Sequence, residues 1–513
     1  MKMSIDWNTL REPKKESFEE LCCQLAMREP VDTGSRFVRR GTPDSGIECY
    51  WQRPDGSKVG WQAKFFLTSL SDSQWSQLDS SVKTALAKNP NLSHYVICLP
   101  QNLPDAGQPN SESARQKWDK RVRKWKRWAT EEGRNVEIEL WDESALVARI
   151  SQEQHRGTHW FWFGTQSLTT SWFEDHIGVS IKNAGPRYTP ELHIDTEQQL
   201  QFDAMARTSV FHLQIIELFT SLRLAERSMA CRVAPEDVKA ELNIVKNILS
   251  KALLEIQPWA KAEISTDAWW HADQMPWHSI EIQFDLLSDS VYACWRKIES
   301  CREALIETNG ESSKRSSYTP PDAFTNTSDD LSELMRAIRS WRSFLAMPES
   351  NLCNNPCMLL VGEAGQGKTH RLCEIARCRT ESSKPTILLF GEQFQDEEPW
   401  SQIIKLLGLN CILDELLGGL EAAAIASGNR AIILIDAINE GKGNQLWKVW
   451  LPGLVEKIKR SPWIGLCITV RDNYEKHVIP QVAMGDSMIR IEHRGFGEVT
   501  YAAAVKFFTH FGI

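Results

Sequence analysis

No run of 18 apolar residues occurs in the 513-residue chain, which leaves no candidate transmembrane helix. The opening stretch, Met1 to Asp6, lacks a basic segment followed by an apolar one, so no secretory leader is expected. The thirteen cysteines are odd in number and contain no CxxC pair, a usage that fits reduced thiols in a cytoplasmic protein. An excess of positive charge is missing too. The formal net charge of -8 excludes a protein that coats nucleic acid over its whole surface, yet it permits a local basic patch. Internal repeats and long low-complexity tracts are absent. Cys353 and Cys357 lack a second ligand pair nearby, and no acid lies between His155 and His159, so structural roles are expected for all four.

What is present is ordinary globular sequence, 42% hydrophobic and 25% charged, with 21 tryptophans that read as packing anchors. At ~150 residues per domain the length suggests about three domains. The texture divides accordingly into an α/β multidomain chain. Residues 1–165 mix short helical and strand signals, 166–345 form a mainly helical connector, and 346–513 return to alternating strands and helices, the pattern of a parallel sheet. Apolar residues recur at helical spacing over Thr196 to Glu226 and Pro235 to Ile256. Two linkers stand out, Asn183 to Pro190 and the Ser/Thr/Pro-rich Asn309 to Asp329, which reads as a flexible or extended connection.

The clearest motif is Gly362-Glu363-Ala364-Gly365-Gln366-Gly367-Lys368-Thr369, a full GxxxxGK[ST] match. It lies between a strand expected over Cys357 to Val361 and a helix over Thr369 to Arg379. Gly362, Gly365 and Gly367 let backbone N–H groups turn inward onto phosphate oxygens, and the helix N-terminus adds its dipole. Lys368 would reach the β- and γ-phosphates of ATP, while the Thr369 hydroxyl would bind Mg²⁺. The buried strand Ala431 to Asp436 supplies the second Mg²⁺ residue, Asp436. Glu440 is a candidate for orienting water or a solvated loop acid. Arg471, after the strand Ile464 to Val470, is a candidate γ-phosphate sensor or a surface charge. Further strands are expected over Pro385 to Phe390 and Met488 to Glu492, with a helical tail from Tyr501 to Phe511.

The runs GEAGQGKT, LIDAINE and TVRD resemble the STAND class of P-loop NTPases, which includes the NACHT proteins, over roughly residues 330–513. That resemblance implies assembly driven by ATP. Asn439 stands where the family carries a second acid, which implies slow turnover rather than lost binding.

A second constellation occupies the first 70 residues. Phe18-Glu19-Glu20-Leu21 belongs to an amphipathic helix, and a hairpin turning at Pro54-Asp55-Gly56 presents Glu48 on one strand and Gln62-Ala63-Lys64 on the other. Residues two apart in a strand share a face, so Gln62 and Lys64 point together. Phosphodiester cleavage uses a divalent metal, and oxygen ligands suit Mg²⁺. Glu48 is the first metal ligand and the Gln62 carbonyl a second. Lys64 would activate water or stabilise phosphate charge, with Glu19 completing the catalytic set. Asp44 is a weaker candidate that could instead shape the turn. The segment Lys117 to Arg127 carries seven Lys and Arg residues interleaved with Trp118 and Trp125, a DNA contact or a solvated helix face.

Asp44-Ser45-Gly46-Ile47-Glu48 and Gln62-Ala63-Lys64 resemble the Mrr-like branch of the PD-(D/E)xK nucleases over about residues 14–70. This implies a restriction-endonuclease-like α/β/α domain that cuts double-stranded DNA. Together the two modules resemble antiviral (AVAST-type) STAND proteins, implying a nuclease activated when the NTPase forms a homo-oligomer, with a phage protein as trigger and no membrane partner. Such proteins carry a winged helix and sensor repeats that are not found before Ile513, so the expectation is a truncated form or sensing by another chain. The alternative is a nucleotide-switched assembly scaffold with an inactive nuclease fold. A restriction enzyme that moves on DNA would need a DExx box, which Leu434-Ile435-Asp436-Ala437 does not supply.

Overall fold

A computed structural model describes the chain except residues 1–4, 42–44, 106–111, 165–166, 195–197, 232–235, 265, 268, 310–322, 443, 484, 486, 496, 498–499 and 513. The first sheet has strands β1 (Arg36–Arg39), β2 (Cys49–Gln52), β3 (Lys58–Ala63), β4 (Leu92–Cys98) and β5 (Glu137–Trp141), in that spatial order. β1, β2 and β3 pair antiparallel, whereas β3, β4 and β5 run parallel. The expected hairpin is the β2–β3 pair. Its turn closes by Gly56 N–H donating to the Arg53 carbonyl (2.9 Å) and Ser57 N–H to the Asp55 carboxylate (2.8 Å).

Strand alternation builds two cores on this sheet. Val59, Trp61, Ala63, Val96 and Cys98 pack with Phe18, Leu21 and Leu25 of the helix Lys14–Met27. Tyr50, Tyr95 and Ile97 face the other way, onto Trp75, Leu78 and Val82 of the helix Asp72–Lys88 and Trp118 and Trp125 of the helix Ala114–Glu131. The result is helix, sheet, helix in three layers. Burial of Ser17–Ala26 at every position but Glu19 departs from a simple amphipathic pattern: Glu20 and Gln24 are buried with the apolar residues, Glu20 paired with Arg39.

The second sheet is wholly parallel: β6 (Cys357–Gly362), β7 (Thr386–Phe390), β8 (Ala431–Asp436), β9 (Ile464–Arg471) and β10 (Ile489–Glu492), in the order β10-β6-β9-β8-β7. Its central strands read as unbroken apolar runs because both faces are covered. The edge strand β7 is closed by a helix, Thr170–Ala184. His176 Nε2 accepts from Leu388 N–H (3.2 Å), and Ser180 Oγ donates to the Leu388 carbonyl (3.0 Å). Two side chains one helical turn apart thus satisfy an exposed pair of edge groups. Burial lowers the His176 pKa to about 4, which keeps the ring neutral and able to accept.

The chain divides into two compact units, and the division differs from the expected segments 1–165, 166–345 and 346–513. One unit gathers Met1–Ile194, Glu263–Asp273 and Cys357–Ile513, so both sheets belong to it. Residues 166–194, expected as the start of a connector, instead pack on the second sheet. The helical unit spans Asp195–Ala262 and Gln274–Pro356. Its long helices are Ser209–Cys231, Lys239–Ala260, Trp277–Asn309 and Ala323–Leu345. In Lys239–Ala260 the buried residues Leu242, Val245, Leu249, Leu253 and Ile256 follow the 3.6-residue period. Trp341, fully buried, donates to the Leu218 carbonyl at 2.9 Å. Of the expected connection 309–329, residues 310–322 lie outside the described set, while Ala323 onward is helical.

The two sheets share one hydrophobic core, which runs from Trp7, Leu21 and Trp61 through Phe161 and Trp162 to Leu416, Leu420 and Ile433. The helices Arg156–Phe163 and Leu413–Ser427 meet there at glycines. A Cβ on Gly157 would lie 2.3 Å from Gly418 Cα, and one on Gly419 2.7 Å from the Trp160 ring. Polar groups seal the contact: Gln24 donates to the Ala422 carbonyl (3.1 Å), Trp162 to Gln24 (3.0 Å), and Arg28 pairs with Glu421 at 3.3 Å. Among the described residues no helix is long and apolar enough to cross a membrane.

Candidate functional site

The phosphate-loop motif lies where its spacing placed it, between β6 and the helix Lys368–Glu381. Gly365 (φ 80°) and Gly367 (φ 91°) are left-handed, a conformation that turns successive N–H groups into the loop and disfavours side chains. Lys368 Nζ donates to the carbonyls of Gly362 (2.6 Å) and Glu363 (2.7 Å). Burial lowers the Lys368 pKa, and the nearby Asp436 carboxylate opposes that shift. A phosphate entering the loop therefore meets a partly desolvated ammonium held by two neutral carbonyls, which charged phosphate oxygens can displace.

Asp436, fully buried at the C-terminal end of β8, accepts from Thr369 Oγ1 at 2.6 Å and from Thr469 Oγ1 at 2.5 Å. Burial raises its pKa and the two hydroxyl bonds counter this. A buried carboxylate met mainly by hydroxyls, beside a phosphate loop, fits a hard divalent cation: Thr369 and Asp436 are oxygen donors within one hydrogen bond of each other. Glu440, in the turn after β8, accepts from Arg471 Nη2 (2.5 Å) and pairs with Arg187 Nη1 (3.5 Å). Asn439 Oδ1 accepts from the Arg471 backbone N–H at 3.0 Å, so this residue positions the arginine.

Sequence reasoning missed Thr469, Arg187 and His493. Thr469 precedes Arg471 by two residues on β9, so strand alternation could have found it. His493 reaches the Gln366 carbonyl at 2.8 Å, and Arg187 lies 253 residues before its partner Glu440. Neither carries a local signal.

At the first sheet, Glu48 immediately precedes β2 and Gln62 lies near the end of β3. The Gln62 amide donates to the Glu48 carboxylate, as antiparallel register requires of residues on one face. Gln62 is buried, Glu48 and Lys64 are half-buried, and Lys64 leaves β3 with its backbone N–H bound to the Cys98 carbonyl at 3.0 Å. Alternation and the Gln62–Glu48 bond set these two side chains on the face opposite Trp61 and Ala63, and Lys64 follows the last residue of β3. Glu19 comes from the helix that packs on the Trp61 face, where it pairs with Lys15 at 3.7 Å. Its neighbour Phe18 packs against the Phe65 ring, with centroids 5.3 Å apart. Asp44 lies outside the described residues. Glu48 and Gln62 offer oxygen donors of the kind a hard cation takes, but among the described residues no three His, Cys, Asp or Glu side chains group as metal ligands.

The basic helix Ala114–Glu131 is capped by a Ser113–Gln116 box and packs on the side of the sheet that Tyr50, Tyr95 and Ile97 face. Its Trp118 and Trp125 are core residues rather than exposed stacking surfaces. Trp118 and Trp125 are buried edge-to-face, 5.4 Å apart, and Trp125 donates to Asp79 at 2.7 Å. Arg121 and Lys124 pair with Asp79, and Lys120 with Glu112. Arg123, Lys126 and Arg127 remain exposed, with no ion pair among the described residues. The chain matches no protein-family model and no curated protein.

Proposed function

We propose that the chain is an ATP-gated, Mg²⁺-dependent DNA endonuclease of antiviral defence. In this reading its restriction-endonuclease-like α/β/α domain is activated when the P-loop NTPase domain assembles into a homo-oligomer. The observation that carries the nuclease half is the meeting of Glu48 and Gln62 across β2 and β3, with Lys64 one alternation further on. The three-layer arrangement of the first sheet supports it, as do the exposed cations Arg123, Lys126 and Arg127 of the helix on that side of the sheet, which suit phosphate contacts on double-stranded DNA.

Glu48 and Gln62 would hold the cation of the cutting site; Thr369 and Asp436 would hold the one that accompanies ATP. When bound, a divalent cation polarises phosphate and lowers the pKa of water. Lys64 places a positive charge where a phosphodiester oxygen gains negative charge. Lys368 binds the nucleotide phosphates, and Arg471 answers the γ-phosphate. Because both sites belong to one compact unit with a shared core, oligomers formed through the nucleotide domain would carry the cutting sites into register, and two such sites can cut both strands.

The absence of a three-residue metal-ligand group among the described residues favours a second reading, a nucleotide-switched assembly scaffold with an inactive nuclease fold. Incubating purified protein with supercoiled plasmid while crossing Mg²⁺ and ATP separates the two. The nuclease reading expects linear product only where both are present. ATP-dependent oligomers with intact plasmid would establish the scaffold instead.

A further inference from the structure

Glu440 sits between two guanidinium groups, one on each carboxylate oxygen. Arg471 holds Oε1 at 2.5 Å, and Arg187 approaches Oε2 at 3.5 Å. Arg471 belongs to the edge of the nucleotide site by its place on β9. Arg187 comes from elsewhere, a short turn Gly185–Arg187 that follows the helix closing the β7 edge. Its position is built rather than incidental. Nε donates to the Ala184 carbonyl (3.2 Å), Nη2 pairs with Glu392 (3.2 Å), and the guanidinium lies 5.2 Å from the centre of the Phe390 ring. Glu392 and Phe390 both stand at the C-terminal end of β7, beside β8 and Asp436. The positive charge of Arg187 is felt at the buried Asp436 carboxylate, whose pKa it lowers against the burial effect.

Two arginines on one half-buried carboxylate form a charge cluster with a replaceable partner. A γ-phosphate bound at Lys368 and Thr369 brings more negative charge than Glu440 holds, and three acceptor oxygens in place of two. A diphosphate brings neither to this position. An arginine fork matches phosphate geometry better than a point charge does, so such a site reads the third phosphate by exchange of partners.

We propose that Arg187 is a second γ-phosphate-reading arginine, which with Arg471 trades the Glu440 carboxylate for the terminal phosphate and so makes the site prefer triphosphate to diphosphate. This rests on the reading that residues 362–369 bind a nucleoside triphosphate. The bonded state seen here is the exchange partner: Glu440 keeps both cations in place until phosphate arrives.

The test is equilibrium binding of fluorescent ATP and ADP analogues, with Mg²⁺, to the full chain. Arg187→Ala is expected to weaken ATP about tenfold and ADP less than twofold, with Arg187→Lys intermediate because charge remains and the fork is lost. Glu440→Gln, which loosens both arginines without removing them, is expected to increase the ATP preference. An ATP:ADP affinity ratio unchanged in Arg187→Ala, or equal loss of both ligands, would overturn the assignment of Arg187 alone. Wild-type protein that binds neither nucleotide, or Lys368→Ala protein that binds both as wild type does, would remove the underlying site and this inference with it.

Discussion

Lys64→Ala is expected to slow Mg²⁺-dependent plasmid cleavage at least a hundredfold while leaving thermal stability and nucleotide binding unchanged. The size follows from the role. Removing one group that stabilises charge at a reacting phosphate or acyl centre typically costs 10²- to 10³-fold in rate, about 3–4 kcal/mol. The stability side follows from placement. Lys64 is half-buried, and its backbone is fixed by a 3.0 Å bond to Cys98 that needs no side chain. A surface truncation of that kind stays within about 0.5 kcal/mol. Lys64→Arg should recover little, since a planar fork does not take the place of a compact ammonium beside a metal-bound phosphate. Cleavage by Lys64→Ala within threefold of wild type would remove this residue from the site.

The second large effect is structural. Gly157→Leu is expected to lower the unfolding midpoint by several degrees and to release both sheets from cooperative melting. At the helix crossing a Cβ on Gly157 falls 2.3 Å from Gly418 Cα and 2.4 Å from its carbonyl carbon, so backbone rather than a movable side chain must give way. Overpacking a well-filled contact costs about 1–3 kcal/mol, and here the displaced helices also carry Trp162, Leu416 and Leu420 of the shared core. Gly178→Ala is the control: it lies in a helix too, with nothing within 4 Å of the added Cβ. Calorimetry of both variants decides the point. A Gly157→Leu midpoint matching wild type would mean that the two sheets are not held together through this crossing.

The parts of the molecule legible in the sequence were those with local signals. The strand Ala431–Asp436 was read to the residue, because a parallel strand covered on both faces is a continuous apolar run ended by its acid. The GxxxxGK[ST] loop was equally plain, since its glycines and Lys368 lie within eight residues between β6 and the next helix. The hairpin that presents Glu48 and Gln62 on its two strands followed from its turn at Pro54-Asp55-Gly56. Features set by tertiary packing escaped. Hydrophobic periodicity in the helix Lys14–Met27 does not tell that Glu20 turns inward to Arg39 while Glu19 pairs with Lys15. The direction of Trp118 and Trp125 in the basic helix was not legible from composition; seven residues apart, they share the helix face that packs on the sheet. Residues 166–194 read as connector because a helix covering a sheet edge has the same pattern as one in a bundle. Arg187 had no signal at all, because its partners are remote in sequence.

The account depends most on a divalent cation bound at Glu48. Crystals soaked in Mn²⁺ without nucleotide test this directly, since Mn²⁺ takes the same oxygen ligands as Mg²⁺ and is visible by anomalous scattering. The account predicts a peak about 2.1 Å from a Glu48 carboxylate oxygen, on the face shared with Gln62 and Lys64. A peak at Asp436 with none at Glu48 would leave a nucleotide switch and contradict the nuclease.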